Sequence, residues 1–331
     1  MDCSLGLHQW QKISNFAGKI ASVPVRLRGI CRYIEMNAIR KILILPLIFA
    51  AFLPDAGAQA LKAFRDEVPG SYNYWFYTPD STGQDKSAKP LVIFLHGASL
   101  CGSNLDRVKR YGTIDALQKG RMLDAYVVAP QNPGGSWKPD KVMKLVDWAE
   151  ANYNVDADRV YVIGMSLGGY GTIDLAATYP DRIAAAVAMC GGGSVKDLSR
   201  LNDVPLWIIH GTSDRAVSIS QSDKVVSAMR MADEDTPRLV YHRIQGMNHS
   251  QPARLLYHPE IYDWLFSHTL QDEGRNVSPA FNITNSTLGN AYQGLNMSRR
   301  KPAAVKSKSD AAKSGHKSSA SKKGSKRSRH S

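Results

Sequence analysis

Gly164-Met165-Ser166-Leu167-Gly168-Gly169 is the stretch on which the fold turns. Residues 159–163 before it, where apolar Val160, Tyr161, Val162 and Ile163 follow Arg159, predict a buried strand. Residues 168–179 after it predict a helix, stopped by Pro180. Glycines on both sides of Ser166 remove Cβ clashes, so the chain can turn sharply and lift the hydroxyl above the strand end. A helix that starts here adds free N–H groups and a positive dipole end beside that hydroxyl. The plainer alternative is a strand–helix turn with a capping serine.

Outward from this turn the same alternation repeats. Residues 72–77, 89–95, 126–129, 183–189, 206–209 and 239–244 predict strands. Residues 104–118, 140–151, 218–231 and 253–268 predict helices. The order predicts an α/β fold, a mostly parallel, doubly wound sheet with helices on both faces, and the short stretch between Gly193 and Leu206 leaves no room for a large lid domain. Ligands on such sheets bind beyond the carboxyl ends of the strands.

Two other strand ends carry matching chemistry. After 206–209 comes His210-Gly211-Thr212-Ser213-Asp214, and after 239–244 comes Gly246-Met247-Asn248-His249. A serine hydroxyl is a poor nucleophile until an imidazole takes its proton, and the imidazole needs a carboxylate to fix its tautomer. Ser166, His249 and Asp214 supply those three groups. Alone, Asp214 reads as a helix N-cap and His249 as a cap or surface residue. Asp203, Asp223 and Asp263 are poorer carboxylate candidates, since they precede a strand or lie within helices. An oxyanion would need two aligned N–H donors, for which Leu167 and Ala98 are the candidates. His96 and His210 read as histidines that brace their loops. Gln131 and Trp137 follow a strand end and are candidates for the substrate pocket; the alternative for Trp137 is ordinary packing.

The motifs His96-Gly97, Gly164 to Gly169, His210-Gly-Thr-Ser-Asp214 and Asn248-His249 resemble the α/β-hydrolase superfamily. The resemblance covers about residues 70–270. It is nearest to compact bacterial esterases related to feruloyl esterases, to polyhydroxybutyrate-depolymerase-like esterases and to prolyl-oligopeptidase-like hydrolases. Many of these relatives have a third glycine after His-Gly, where this chain has Ala98-Ser99. The resemblance implies a serine carboxylesterase that works through an acyl-enzyme, with no cofactor and no metal. It suits polysaccharide-linked acyl or phenolic esters. A serine peptidase or phospholipase of the same fold, or a non-catalytic binding protein on it, are the alternatives.

The chain's formal charge of +13 sits at its ends. Residues 298–331 carry twelve Lys/Arg and one Asp, whereas residues 59–297 are slightly acidic. Composition excludes a collagen-like chain and a disulfide scaffold. Residues 36–58 have the layout of a signal peptide: Met36 opens a short basic start, residues 42–53 are apolar, and Ala56 and Ala58 stand at the two positions a signal peptidase inspects, for cleavage after Ala58, with Ala60 second. Residues 1–35 read as an upstream extension. A secreted or periplasmic bacterial enzyme is the expectation, with a catalytic domain over 59–270 and a polar linker over 271–297. A disordered basic tail is expected over 298–331, able to contact anionic envelope polymers. No aromatic residue lies among those charges, so sequence-specific nucleic-acid binding is not encoded. Cys101 and Cys190 read as free or buried thiols. No Cys/His cluster has metal-ligand spacing.

Overall fold

The computed structural model describes residues 60–80, 86–277 and 280–298. The leader and most of the basic tail expected from the sequence lie outside them. The sheet is built around Lys89–Leu95 (β3), whose apolar run feeds two cores at once. Val92 and Phe94 face one side, and Leu91, Ile93 and Leu95 the other. Its neighbours are Tyr126–Pro130 (β4) and Val155–Met165 (β5). Ala185–Met189 (β6), Leu206–Gly211 (β7) and Leu239–Ile244 (β8) follow in order beyond β5. These six strands run parallel. Tyr74–Thr78 (β2) and Ala60–Phe64 (β1) extend the other edge antiparallel. This is the mostly parallel sheet that the alternation predicts.

Helices Pro139–Asn152 (α2), Leu167–Thr178 (α3) and Ser220–Ala232 (α4) cover the Leu91 face. In α2 the stripe Val142, Leu145, Val146 and Ala149 is buried, at helical spacing, behind a proline that opens the first turn. Helices Thr113–Gln118 (α1), Pro259–Phe266 (α5) and Asn285–Asn290 (α6) cover the Phe94 face.

The structure adds β1 to the strands read from the sequence and departs from that reading at three further places. Residues 104–118 form a 3-10 turn, Leu105–Arg110, and then α1, broken at Gly112, whose φ is +86°. A Cβ there would lie 2.2 Å from the Phe94 ring, so neither the conformation nor the space admits a side chain. Residues 253–268 split likewise into a 3-10 turn, Pro252–Tyr257, and α5, because Pro259 cannot continue a helix.

The third departure is the segment read as a polar linker, 271–297, most of which is part of the domain. Phe281 packs edge-on against Trp207 at 5.1 Å, and Ile283, Leu288 and Ala291 are buried. The Arg275 guanidinium donates to the carbonyls of Ile183 and Ala184 at 2.6 and 3.1 Å. The chain divides into two units between Leu295 and Asn296, and every element named above belongs to the first.

Register aligns the strand ends. Leu95 pairs with Gly164, Met165 with Met189, and Met189 with Ile209. The loops after β3, β5, β7 and β8 therefore gather at one end of the sheet. Between Gly193 and β7 the chain makes only a short 3-10 turn, Ser199–Asp203, and no lid domain covers that end among the described residues. No described helix is long and apolar enough to cross a membrane.

Candidate active site

Ser166 sits between the last residue of β5 and the first of α3, with φ 59° and ψ −120°. A non-glycine residue rarely adopts this conformation, and it persists only where the surroundings fix it. The Ser166 N–H donates to Met189 O at 2.8 Å, which ties the turn to β6. A Cβ on Gly168 would fall 1.8 Å from Leu95 O, and one on Gly164 would fall 2.4 Å from Gly168 O. The two glycines let α3 start directly against β3, and Ser166 is left standing at the sheet end.

The Ser166 hydroxyl donates to His249 Nε2 at 3.0 Å, and His249 Nδ1–H donates to Asp214 Oδ2 at 2.7 Å. The loops that bring these residues together are stitched by backbone. Thr212 N–H donates to Ile244 O at 3.0 Å and Ser213 N–H to Met247 O at 3.1 Å. The Asp214 side chain is inaccessible to solvent, whereas His249 is 27% exposed. Asp214 Oδ1 accepts the N–H groups of Ala216 and Val217 at 2.9 and 2.8 Å. Burial alone would raise the Asp214 pKa, but hydrogen bonds from Val217, His249 and Ala216 together hold it below the ordinary range.

A second imidazole reaches the same oxygen. His210 Nε2 lies 3.3 Å from Asp214 Oδ2 and 3.0 Å from Val217 O, and Ser222 Oγ hydrogen-bonds its Nδ1 at 2.8 Å. Burial lowers the His210 pKa and favours the neutral ring. Cys190 Sγ, the Asp214 carboxylate and His249 lie within 4.8 Å of one another, the one three-donor cluster of metal-binding type among the described residues. Burial and the adjacent carboxylate raise the Cys190 pKa, and His249 and Asp214 hydrogen-bond each other. Those donors are committed to a hydrogen-bonded core. Both Cys101 and Cys190 are free thiols.

Ser166 opens into a cavity of about 640 Å³ with mostly apolar walls, among them Met165, Leu167, Tyr170 and Val217. Ala98 and Leu167 each begin a helical turn, where the N–H has no partner within the helix, and both line this cavity. The loop carrying Ala98 is braced on three sides. Tyr111 Oη accepts Gly97 N–H at 2.8 Å, Arg107 donates to Ser99 O at 2.6 Å, and Asn132 N–H donates to His96 Nε2 at 3.0 Å. His96 is completely buried, its Nδ1–H donates to Gly97 O at 2.8 Å, and burial pushes its pKa down to about 4.

Gln131 and Trp137, read from the sequence as pocket residues, do not line the cavity. Both are buried. Trp137 Nε1–H donates to His96 O at 3.2 Å, and Gln131 Nε2 donates to Leu100 O at 2.8 Å. They belong to the scaffold behind the His96 loop. Tyr111, Tyr170 and Ala253 also line the cavity and are not singled out by the sequence; Tyr111 follows the 3-10 turn Leu105–Arg110, and nothing in its neighbours marks it.

A sheet of this topology, carrying a serine, a histidine and a carboxylate at its strand ends, defines an α/β-hydrolase. Residues 67–253 match the Esterase family, and the chain belongs to it. Poly(3-hydroxyalkanoate) depolymerase C of Paucimonas lemoignei is 30% identical over 44% of this chain and 38% of its own length. Acetylxylan esterase A of Emericella nidulans is 32% identical over 62% of this chain and 66% of its own. The crystal structure of a thermostable esterase superposes with a TM-score of 0.55 at 26% identity, covering 64% of this chain and 63% of that one. The match therefore spans less than two thirds of each of these proteins.

Proposed function

We propose that the chain is an exported serine carboxylesterase in which Ser166 is the nucleophile, His249 the general base and then acid, and Asp214 the group that orients His249. The observation that carries this reading is the unbroken hydrogen-bond line from Ser166 through His249 to Asp214 beside an apolar cavity. Ser166 Oγ attacks the ester carbonyl carbon while its proton passes to His249 Nε2. The carbonyl oxygen takes the negative charge and turns to the N–H groups of Ala98 and Leu167. As the intermediate collapses, Nε2–H protonates the leaving alcohol and the acyl group stays on Ser166. Water, deprotonated by His249, then releases the acid.

Polymer-linked esters are the proposed substrates, because no lid covers the site among the described residues and the relatives named above act on a polyester or on acetylated xylan. Export rests on the leader read at 36–58 and the basic tail on 298–331. Cleavage after Ala58 would leave β1, which begins at Ala60, intact.

The test is side-by-side turnover of p-nitrophenyl acetate, methyl ferulate and a peptide p-nitroanilide by wild type and Ser166→Ala. Ester turnover that falls by several powers of ten in Ser166→Ala is the expected result. Unchanged ester turnover would remove Ser166 as nucleophile, and preferential cleavage of the anilide would make the enzyme a peptidase.

A further inference from the structure

A second recess, of about 470 Å³, opens on the far side of His249. It shares Ala216, His249 and Ser250 with the apolar cavity and adds Ser213, Arg215 and Asn248. The imidazole is thus the partition between the two. On the proposed mechanism, on which this inference rests, the leaving oxygen must come within hydrogen-bond reach of His249 Nε2. The alcohol half of the ester then runs along the shared wall of His249 and Ser250, towards the second recess.

That recess carries a cation and no carboxylate. Arg215 is its one permanently charged side chain, is exposed, and makes no hydrogen bond or ion pair with any described residue. Asn248 Oδ1 is already occupied by the N–H and hydroxyl of Ser250 at 3.1 and 3.0 Å, so its NH₂ is the end left to face a ligand. Ser213 adds a hydroxyl. No carboxylate lines either recess, since Asp214 is sealed behind His249. A planar guanidinium beside an amide NH₂ matches a carboxylate.

We propose that this recess binds the alcohol half of the substrate and selects alcohols that bear a carboxylate, with Arg215 as the specificity-determining residue. The ester is then one formed on the hydroxyl of a hydroxy acid. A short-chain hydroxy acid and a uronic acid share this chemistry.

Two matched pairs test it on the full chain. One is 3-acetoxybutanoate against its primary amide, the other acetylated methyl glucuronoside against acetylated methyl glucoside. The acyl group is the same throughout. Wild type is expected to favour the carboxylate member of at least one pair in kcat/KM by about five- to tenfold at low ionic strength, and the pair that shows it names the source. The preference should shrink as salt rises. Arg215→Gln should bring the ratio close to one, and Arg215→Glu should invert it. Equal turnover of both members of both pairs by wild type overturns the proposal, as does a preference that survives Arg215→Gln. Ser166→Ala is run alongside on the neutral members. If it abolishes their turnover, a missing charge preference counts against the recess alone. If it does not, the nucleophile assignment fails and the recess assignment with it.

Discussion

His96 is enclosed with both ring nitrogens engaged, one donating to Gly97 O and the other accepting from Asn132, and a proton added to Nε2 would break the second bond. Its pKa falls from 6.5 to about 4, so the unfolded chain binds this proton first. Stability is therefore complete above pH 6.5 and drains away as pH drops towards 4, by about 3 kcal/mol in all at ~1.4 kcal/mol per unit. Melting temperature is expected to fall between pH 7 and 4.5, and less steeply in His96→Gln. Parallel curves for the two proteins would mean the ring is not held neutral. Asp214, also depressed, acts in the same direction. Which residues would matter was partly legible. Ser166, Asp214 and His249 each follow a strand among turn-forming residues, so topology alone suggests that they meet. Tyr111 owes its place to tertiary contact, its hydroxyl accepting the Gly97 N–H, and no local pattern announces that.

At the scale of elements, breaks were harder to read than periodicity. The strands β3, β6, β7 and the second half of β5 stand out as apolar runs because both of their faces are covered, whereas β8, with His242 and Arg243, is a half-buried edge strand. Two helices were drawn too long because apolar spacing continues across Gly112 and Pro259 while the backbone does not. β1, only five residues long and alternately exposed, was missed; it exists because β2 offers it a free edge, with Ala60 opposite Thr78. Gly112 gives this a test. Gly112→Ala puts a Cβ into the Phe94 ring at a positive φ, and both penalties act together. The expected loss is about 2 kcal/mol or more, read from urea unfolding. An unfolding midpoint equal to wild type would mean that α1 can shift to make room.

For the whole molecule, the fold class followed from alternation, but the domain's end did not. Residues 271–295 look polar and loop-like in composition, yet Phe281, Ile283, Leu288 and Ala291 close the core over Trp207 and α5. Burying a large apolar side chain contributes about 1.5–3 kcal/mol, against a total stability of about 5–15 kcal/mol. Deleting residues 272–331 should therefore leave the protein insoluble or partly unfolded by circular dichroism. Deleting only 298–331 should keep kcat on a small soluble ester within about twofold. A fully active 1–271 fragment would reinstate the linker reading. The closing segment also decides how the enzyme can be fixed to a solid support. A tether at the carboxyl terminus loads the domain through Leu295, where the load is met by the contact of Tyr292 with Tyr257 and the bond from Arg121 to Gln293 O. These can peel one at a time. A tether on the amino-terminal side of Ala60 pulls instead on β1, which is held by a single neighbouring strand.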